Sequence, residues 1–148
     1  MAAGWRLSGI YRKTTGRYLT VSTGLDRVLS GQAGNQRPNQ ILENVYGDRN
    51  SVSNYLNPSA FAQPALGAIG NMRRANIEGP GSWQLDMGLS RIFQLQEAQK
   101  LEFRAEAFNV TNSVKPGDPS TNFNQNTFGQ INSSADARVV QFALKYSF

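Results

Sequence analysis

From position 140 onward every second residue is apolar: Val140, Phe142, Leu144, Tyr146 and Phe148, with Gln141, Ala143, Lys145 and Ser147 between them. A period of two predicts a β-strand with one apolar face. The pattern recurs in Trp83, Leu85, Met87, Leu89 and Phe93, set against Gln84, Asp86, Gly88 and Ser90. It returns in Leu101, Phe103, Ala105 and Ala107, set against Glu102, Arg104 and Glu106. A further strand opens with Trp5, Leu7, Gly9 and Tyr11. It is expected to continue through Tyr18–Thr23 with a bulge or bend at Gly16, or to turn as a hairpin at Thr14–Gly16. The predicted strands lie near 4–23, 82–93, 100–110 and 137–148. The polar connector 94–99 suits a hairpin turn. A helix over 95–108 competes, because Glu97, Ala98, Lys100 and Leu101 are good helix formers. The strict alternation from 101 to 107 favours the strand.

Two irregular regions, 24–81 and 111–136, separate these strands and are rich in Pro, Gly and Asn. Structureless loops of that length argue against a compact soluble domain. They are ordinary in an outer-membrane β-barrel, where outer loops are long and inner turns short. With Phe148 at the periplasmic rim, the strands alternate in direction so that both long regions fall outside and connector 94–99 falls inside. Strands of about ten residues match a tilted crossing of a thin bilayer. The expected fold is therefore an all-β, antiparallel, up-and-down transmembrane barrel segment of four strands. Trp5, Phe93, Tyr146 and Phe148 gather near the inner rim, with Trp83 and Phe142 higher, as aromatic girdles require. Glu102, Arg104, Glu106 and Lys145 then face the lumen. Alternation alone fits the solvent face of a soluble sandwich equally well.

Composition narrows the chemistry. The 148 residues contain no Cys and no His. Disulfides, thiol catalysis, imidazole bases and the commonest zinc sites are excluded. Fifteen aromatics (Trp 2, Tyr 5, Phe 8) are too many for a disordered chain. The net charge is +5, yet no basic run exceeds two residues, as in Arg12-Lys13 and Arg73-Arg74. Scattered surface charge explains this better than nucleic acid. No stretch approaches the ~20 apolar residues of a membrane helix. The start, Met1-Ala2-Ala3-Gly4-Trp5, has no secretory signal pattern, and the chain reads as a segment of a longer protein. Asp26, Asp48, Asp118 and Asp136 lack the spacing of a calcium loop. No metal and no cofactor are expected.

Several pieces together are similar to the last part of TonB-dependent receptors, in particular the acidobacterial type with an N-terminal carboxypeptidase-regulatory-like domain. They are Gly70-Asn71-Met72-Arg73-Arg74-Ala75-Asn76, Gly79-Pro80-Gly81, Trp83-Gln84-Leu85-Asp86 and Leu89-Ser90-Arg91-Ile92-Phe93. Leu101-Glu102-Phe103-Arg104-Ala105-Glu106-Ala107-Phe108-Asn109, Phe128-Gly129-Gln130-Ile131 and the closing Gln141 to Phe148 add to them, as does Gly4 to Tyr11. The resemblance spans nearly the whole chain. It implies a barrel of about 22 strands that imports a substrate with energy from TonB. This chain holds no TonB box, no plug and too few strands to close a barrel, whose open edges lipid would not tolerate. The implied partners are outer-membrane lipid, the missing plug and barrel strands, and the barrel-assembly machinery of a Gram-negative cell. TonB is reached only through the plug. The assembly signal is Phe142, Leu144, Tyr146 and Phe148, read by strand addition.

The alternative is a soluble all-β module binding a ligand or carbohydrate through Trp83, Tyr46 or Tyr55. An enzyme is not expected. Glu102 and Glu106, four apart on one strand, stand roughly 13 Å apart, beyond the ~6.5–9.5 Å of inverting glycosidases.

Overall fold

The computed structural model describes residues 4–148; the reading of Met1-Ala2-Ala3 lies outside them. Eight strands form, with no α-helix among the described residues: β1 (Trp5–Thr14), β2 (Tyr18–Leu19), β3 (Asn39–Gln40), β4 (Phe61–Ala62), β5 (Ile77–Glu78), β6 (Ser82–Gln94), β7 (Lys100–Phe108) and β8 (Val139–Ser147). The chain divides into two compact units.

The first unit is a single antiparallel sheet in the order β1-β6-β7-β8. This is the order expected from the chain. Residues 95–99 form a turn in which the Leu95 N–H donates to the Gln99 carbonyl at 2.9 Å. The Gln94 side chain donates to the Gln96 carbonyl at 2.6 Å. The helix formers of 95–108 are thus divided between a turn and a strand. β7 pairs with β6 on one side and β8 on the other, and two ladders of hydrogen bonds outweigh a small helical preference.

The register places every predicted apolar position on one face. Leu7 stands opposite Leu89, Leu89 opposite Ala105 and Ala105 opposite Phe142. A second row runs Arg91, Phe103, Leu144, and a third Phe93, Leu101, Tyr146. Nothing in this unit covers that face. Leu7, Tyr11, Phe142 and Leu144 are all more than 60% exposed. Among the described residues every hydrophobic core residue lies in the second unit.

The second unit comprises 15–81 and 116–135. Its core is Val21, Val45, Tyr55, Leu56, Ala60, Phe61, Met72, Ile77, Phe128 and Ile131. The regions read as irregular loops are therefore packed. Short pairings hold them: β2 with β5, β3 with β4, and bridges Ser22–Asn122, Tyr46–Leu56 and Pro116–Ser134. Phe61, Phe123 and Phe128 meet with ring centroids 5.1–6.0 Å apart. Periodicity does not report such a core, because each segment contributes one or two buried residues rather than a repeating face.

One strand limit differs from expectation. β1 ends at Thr14 instead of running to 23, and Tyr18–Leu19 pair with Ile77–Glu78 in a separate two-stranded sheet. The cause is a backbone crossing. A Cβ on Gly16 would sit 1.7 Å from the Gly79 carbonyl oxygen, and the Gly79 N–H donates to the Arg17 carbonyl at 2.8 Å.

Candidate functional site

The sheet presents two chemically distinct faces, and each has structure at its ends. On the apolar face the alternation is broken at Lys13 and Arg91, and both breaks are informative. Arg91 stands opposite Trp5. Its guanidinium lies over the Trp5 ring at 5.3 Å and the Phe93 ring at 4.7 Å. At the other end Lys13 stands opposite Trp83, whose ring packs 6.2 Å from Tyr11. Between these two tryptophan–cation pairs the face is Leu7, Gly9, Tyr11, Leu85, Met87, Leu89 and their neighbours. Eight residues separate positions 83 and 91, so the band is about 27 Å along the strand, or roughly 20 Å at a barrel-like tilt. Apolar surface flanked by Trp and Lys or Arg is the signature of a lipid interface, where the ring sits at headgroup level and the cation reaches water. Trp5 also packs edge-on against Phe103 at 6.3 Å, and Tyr146 lies 5.9 Å from Phe148.

On the polar face Glu102, Arg104 and Glu106 form one row along β7. Arg104 sits 3.0 Å from Glu102 and 4.0 Å from Glu106. The Gln141 amide on β8 donates to Glu106. Lys145 lies opposite Glu102 and lines a shallow depression with Glu102, Arg104 and Ala143. All four charges share one face, with Glu102 and Lys145 near one end of β7 and Glu106 four residues along it. The β8 residues Phe142, Leu144 and Tyr146 share the opposite side of an open edge strand, and Phe148, just past its end, is 93% exposed.

Sequence reading missed the strongest polar cluster, which centres on Asp86. Its carboxylate accepts from Arg12 at 2.5 Å and from the Asn109 backbone N–H at 2.8 Å, and also from the Gln84 amide. Lys115 donates to Gln84 Oε1 at 2.5 Å. Asn109 is buried, with φ +54°, just past the end of β7. Its side chain accepts from the Ser113 N–H and donates to the Ser113 carbonyl. Asn tolerates this left-handed conformation because its short side chain bonds locally. The signal was in the sequence: Asn109 and Asn112, which also has positive φ, follow a strand directly. Asp86 looked like one more polar position in an alternating run.

The residues of the soluble-module reading are otherwise engaged. Tyr55 is 1% exposed, and its hydroxyl donates to the Glu78 carbonyl. The Tyr46 hydroxyl accepts from the Glu78 N–H, and the two rings meet edge-on at 5.9 Å. Neither presents a free stacking platform, and Trp83 belongs to the apolar face. The aspartates once considered for calcium are spread among other roles. Asp26 accepts from Gln36, Ser30 and Gly31, Asp48 from the Asn50 N–H, and Asp118 from Arg17. No group of three carboxylates comes together among the described residues.

An open, antiparallel, four-stranded wall with one apolar face and two aromatic girdles defines a segment of a membrane β-barrel. Residues 1–141 match the family described as outer membrane beta barrel domain, and the chain belongs to that family. No curated protein and no solved structure matches it.

Proposed function

We propose that the chain is a C-terminal wall segment of a TonB-dependent outer-membrane receptor of a Gram-negative bacterium. The observation that carries the membrane part of this reading is the apolar band closed at each end by a tryptophan beside a cation. In this reading the band faces outer-membrane lipid, and the row Glu102, Arg104, Glu106 and Lys145 faces a wet lumen. The free edges of β1 and β8 receive the remaining strands of the barrel, since open edges in hydrocarbon leave backbone groups unsatisfied. Residues of the second unit serve as outer loops. Phe142, Leu144, Tyr146 and Phe148 form the strand that the barrel-assembly machinery reads. The chain itself performs no catalysis and needs no cofactor, and TonB is engaged only through a plug elsewhere in the receptor. Support for the receptor class comes from the Gly70–Asn76 and Gly79–Asp86 stretches and the closing strand, which resemble that group.

Two experiments test the two levels of the proposal. These 148 residues contain no Cys, so single spin-labelled cysteines placed in them are read in a receptor whose remaining residues are cysteine-free or have been made so. Labels at 85, 87 and 89 in the complete receptor in vesicles should favour oxygen, and labels at 84 and 90 should favour a water-soluble relaxant. Loss of that alternation rejects the membrane wall. For the receptor class, the gene upstream of Met1 should encode an in-frame plug, and the full-length product should cross-link to TonB in cells. A product without either leaves the barrel and removes the transporter.

A further inference from the structure

The second unit contains a polar cleft of about 550 Å³ lined by Thr20, Val21, Ser22, Gly34, Asn35, Arg37, Arg74 and Thr121. We propose that it binds a small soluble oxyanion, a phosphate or phosphate monoester, through Arg37 and Arg74. This goes beyond the transport reading and does not depend on it.

The cleft is built from four chain segments tied to one another. The Ser22 N–H donates to the Thr121 carbonyl at 2.9 Å. The Thr23 N–H donates to the Gln36 carbonyl at 2.7 Å, which fixes the segment leading into Arg37. Beyond it the Met72 N–H donates to the Pro38 carbonyl at 3.2 Å. Gly70 passes so close that a Cβ there would lie 2.0 Å from the Arg37 carbonyl oxygen. Arg74 is set by its neighbour: Ala75 has φ +50°, and its N–H donates to Thr20 Oγ1 at 2.8 Å. Thus both arginines emerge from anchored backbone, and preorganised donors bind with less ordering cost.

Charge in this unit points the same way. Arg17 pairs with Asp118 and Arg49 with Glu78. Among the described residues Arg37 and Arg74 form no salt bridge, as Arg27 and Arg73 also do not; what sets Arg37 and Arg74 apart is that they line one cleft. Two arginines lining one cleft together with Thr20, Ser22, Asn35 and Thr121 suit a tetrahedral oxyanion, which accepts forked N–H donors. The cleft volume falls in the range of about 300–1,000 Å³ typical of small-ligand sites. The same two arginines also line a smaller cleft of about 180 Å³ with Val28, Pro64, Ala68 and Ile69. That favours an ester with a compact apolar group over the bare ion.

The test is equilibrium binding of inorganic phosphate and phenyl phosphate to the full chain in detergent. Both should bind saturably, phenyl phosphate more tightly, and higher salt should weaken them. Arg37→Gln and Arg74→Gln should each lower affinity tenfold or more, with Arg74→Lys falling between. Arg73→Gln, which removes the adjacent charge outside this cleft, should change it less than twofold. Phenylglyoxal modification of Arg37 and Arg74 in the unaltered chain should be slowed by phenyl phosphate, a readout that needs no variant to fold. Absence of saturable binding, absence of protection, or an equal loss in Arg73→Gln overturns the site. Phosphatidic acid in the micelles carries the same group on a lipid; binding of it alone overturns the soluble-ligand assignment.

Discussion

Glu102 stands directly opposite Lys145 across β7 and β8, yet its carboxylate pairs with Arg104 on its own strand, 3.0 Å away. The cross-strand position and the ion pair have separated. Arg104 reaches both Glu102 and Glu106 with one planar fork, whereas Lys145 is a point charge on a flexible stem. A double-mutant cycle should give near-zero coupling for Glu102 with Lys145. The Glu102–Arg104 pair should give up to about 0.5 kcal/mol, the scale of exposed pairs. Equilibrium unfolding of the full-length barrel measures both, and the reverse ranking would reject the structural pairing.

The Asp86 cluster should matter more than the charge row. Asp86→Ala strands the Asn109 N–H and the Arg12 guanidinium, and should cost about 1–3 kcal/mol. Asn109→Ala should be costly because it loses the Ser113 bonds and keeps φ +54° on a residue that disfavours it. Asn109→Gly should recover the backbone part. Thermal unfolding of the three variants decides this; an Asn109→Gly no better than Asn109→Ala would remove the conformational argument.

The loop held by Asp26 should resist mild acid and loosen only in strong acid. Asp26 titrates below its ordinary 3.8, chiefly because its carboxylate accepts from the Gln36 amide. Ser30 and Gly31 add to this, against a desolvation cost. A depressed folded pKa means its contribution is complete above that ordinary value and disappears as pH falls through the folded one. Protection factors at Ser30 and Gly31, taken relative to intrinsic exchange at each pH, should therefore stay constant from pH 7 to 5 and fall only in stronger acid. A loss of protection already between pH 7 and 5 would contradict it.

Gly16→Ala should destabilise the second unit by about 2–3 kcal/mol, the upper range of overpacking. The added methyl meets backbone at Gly79 rather than a movable side chain. The tyrosine fluorescence of Tyr46 and Tyr55, buried in that unit's packing, reports the loss. An unchanged midpoint would mean the crossing relaxes freely.

Phe148→Ala in the full-length receptor should reduce outer-membrane assembly strongly while the assembled barrel loses only about 1.5–3 kcal/mol, the burial of one ring. Phe148 is 93% exposed on this sheet, so little of its contribution arises within the chain. Pulse-chase assembly against urea unfolding of purified barrel separates the two effects. Normal assembly of the variant would refute the recognition role.

The wall was legible in the sequence because strand side chains alternate strictly, so one-dimensional periodicity specifies both faces and, through them, register. Leu89, Ala105 and Phe142 had only one way to share a side. Arg91 and Lys13 interrupt that pattern, and only strand pairing sets each beside a tryptophan. Tertiary structure alone decided the rest. Tyr55, Phe61, Phe128 and Ile131 come from distant, aperiodic segments, and no local rule brings them into one core. The end of β1 at Thr14 depended on a backbone crossing between Gly16 and Gly79, a contact 63 residues long-range by numbering. Asp86 became a hub only when Arg12 and Asn109 arrived from either side. Periodicity encodes what repeats along one strand, and these contacts are made once, between segments that meet only in the folded chain.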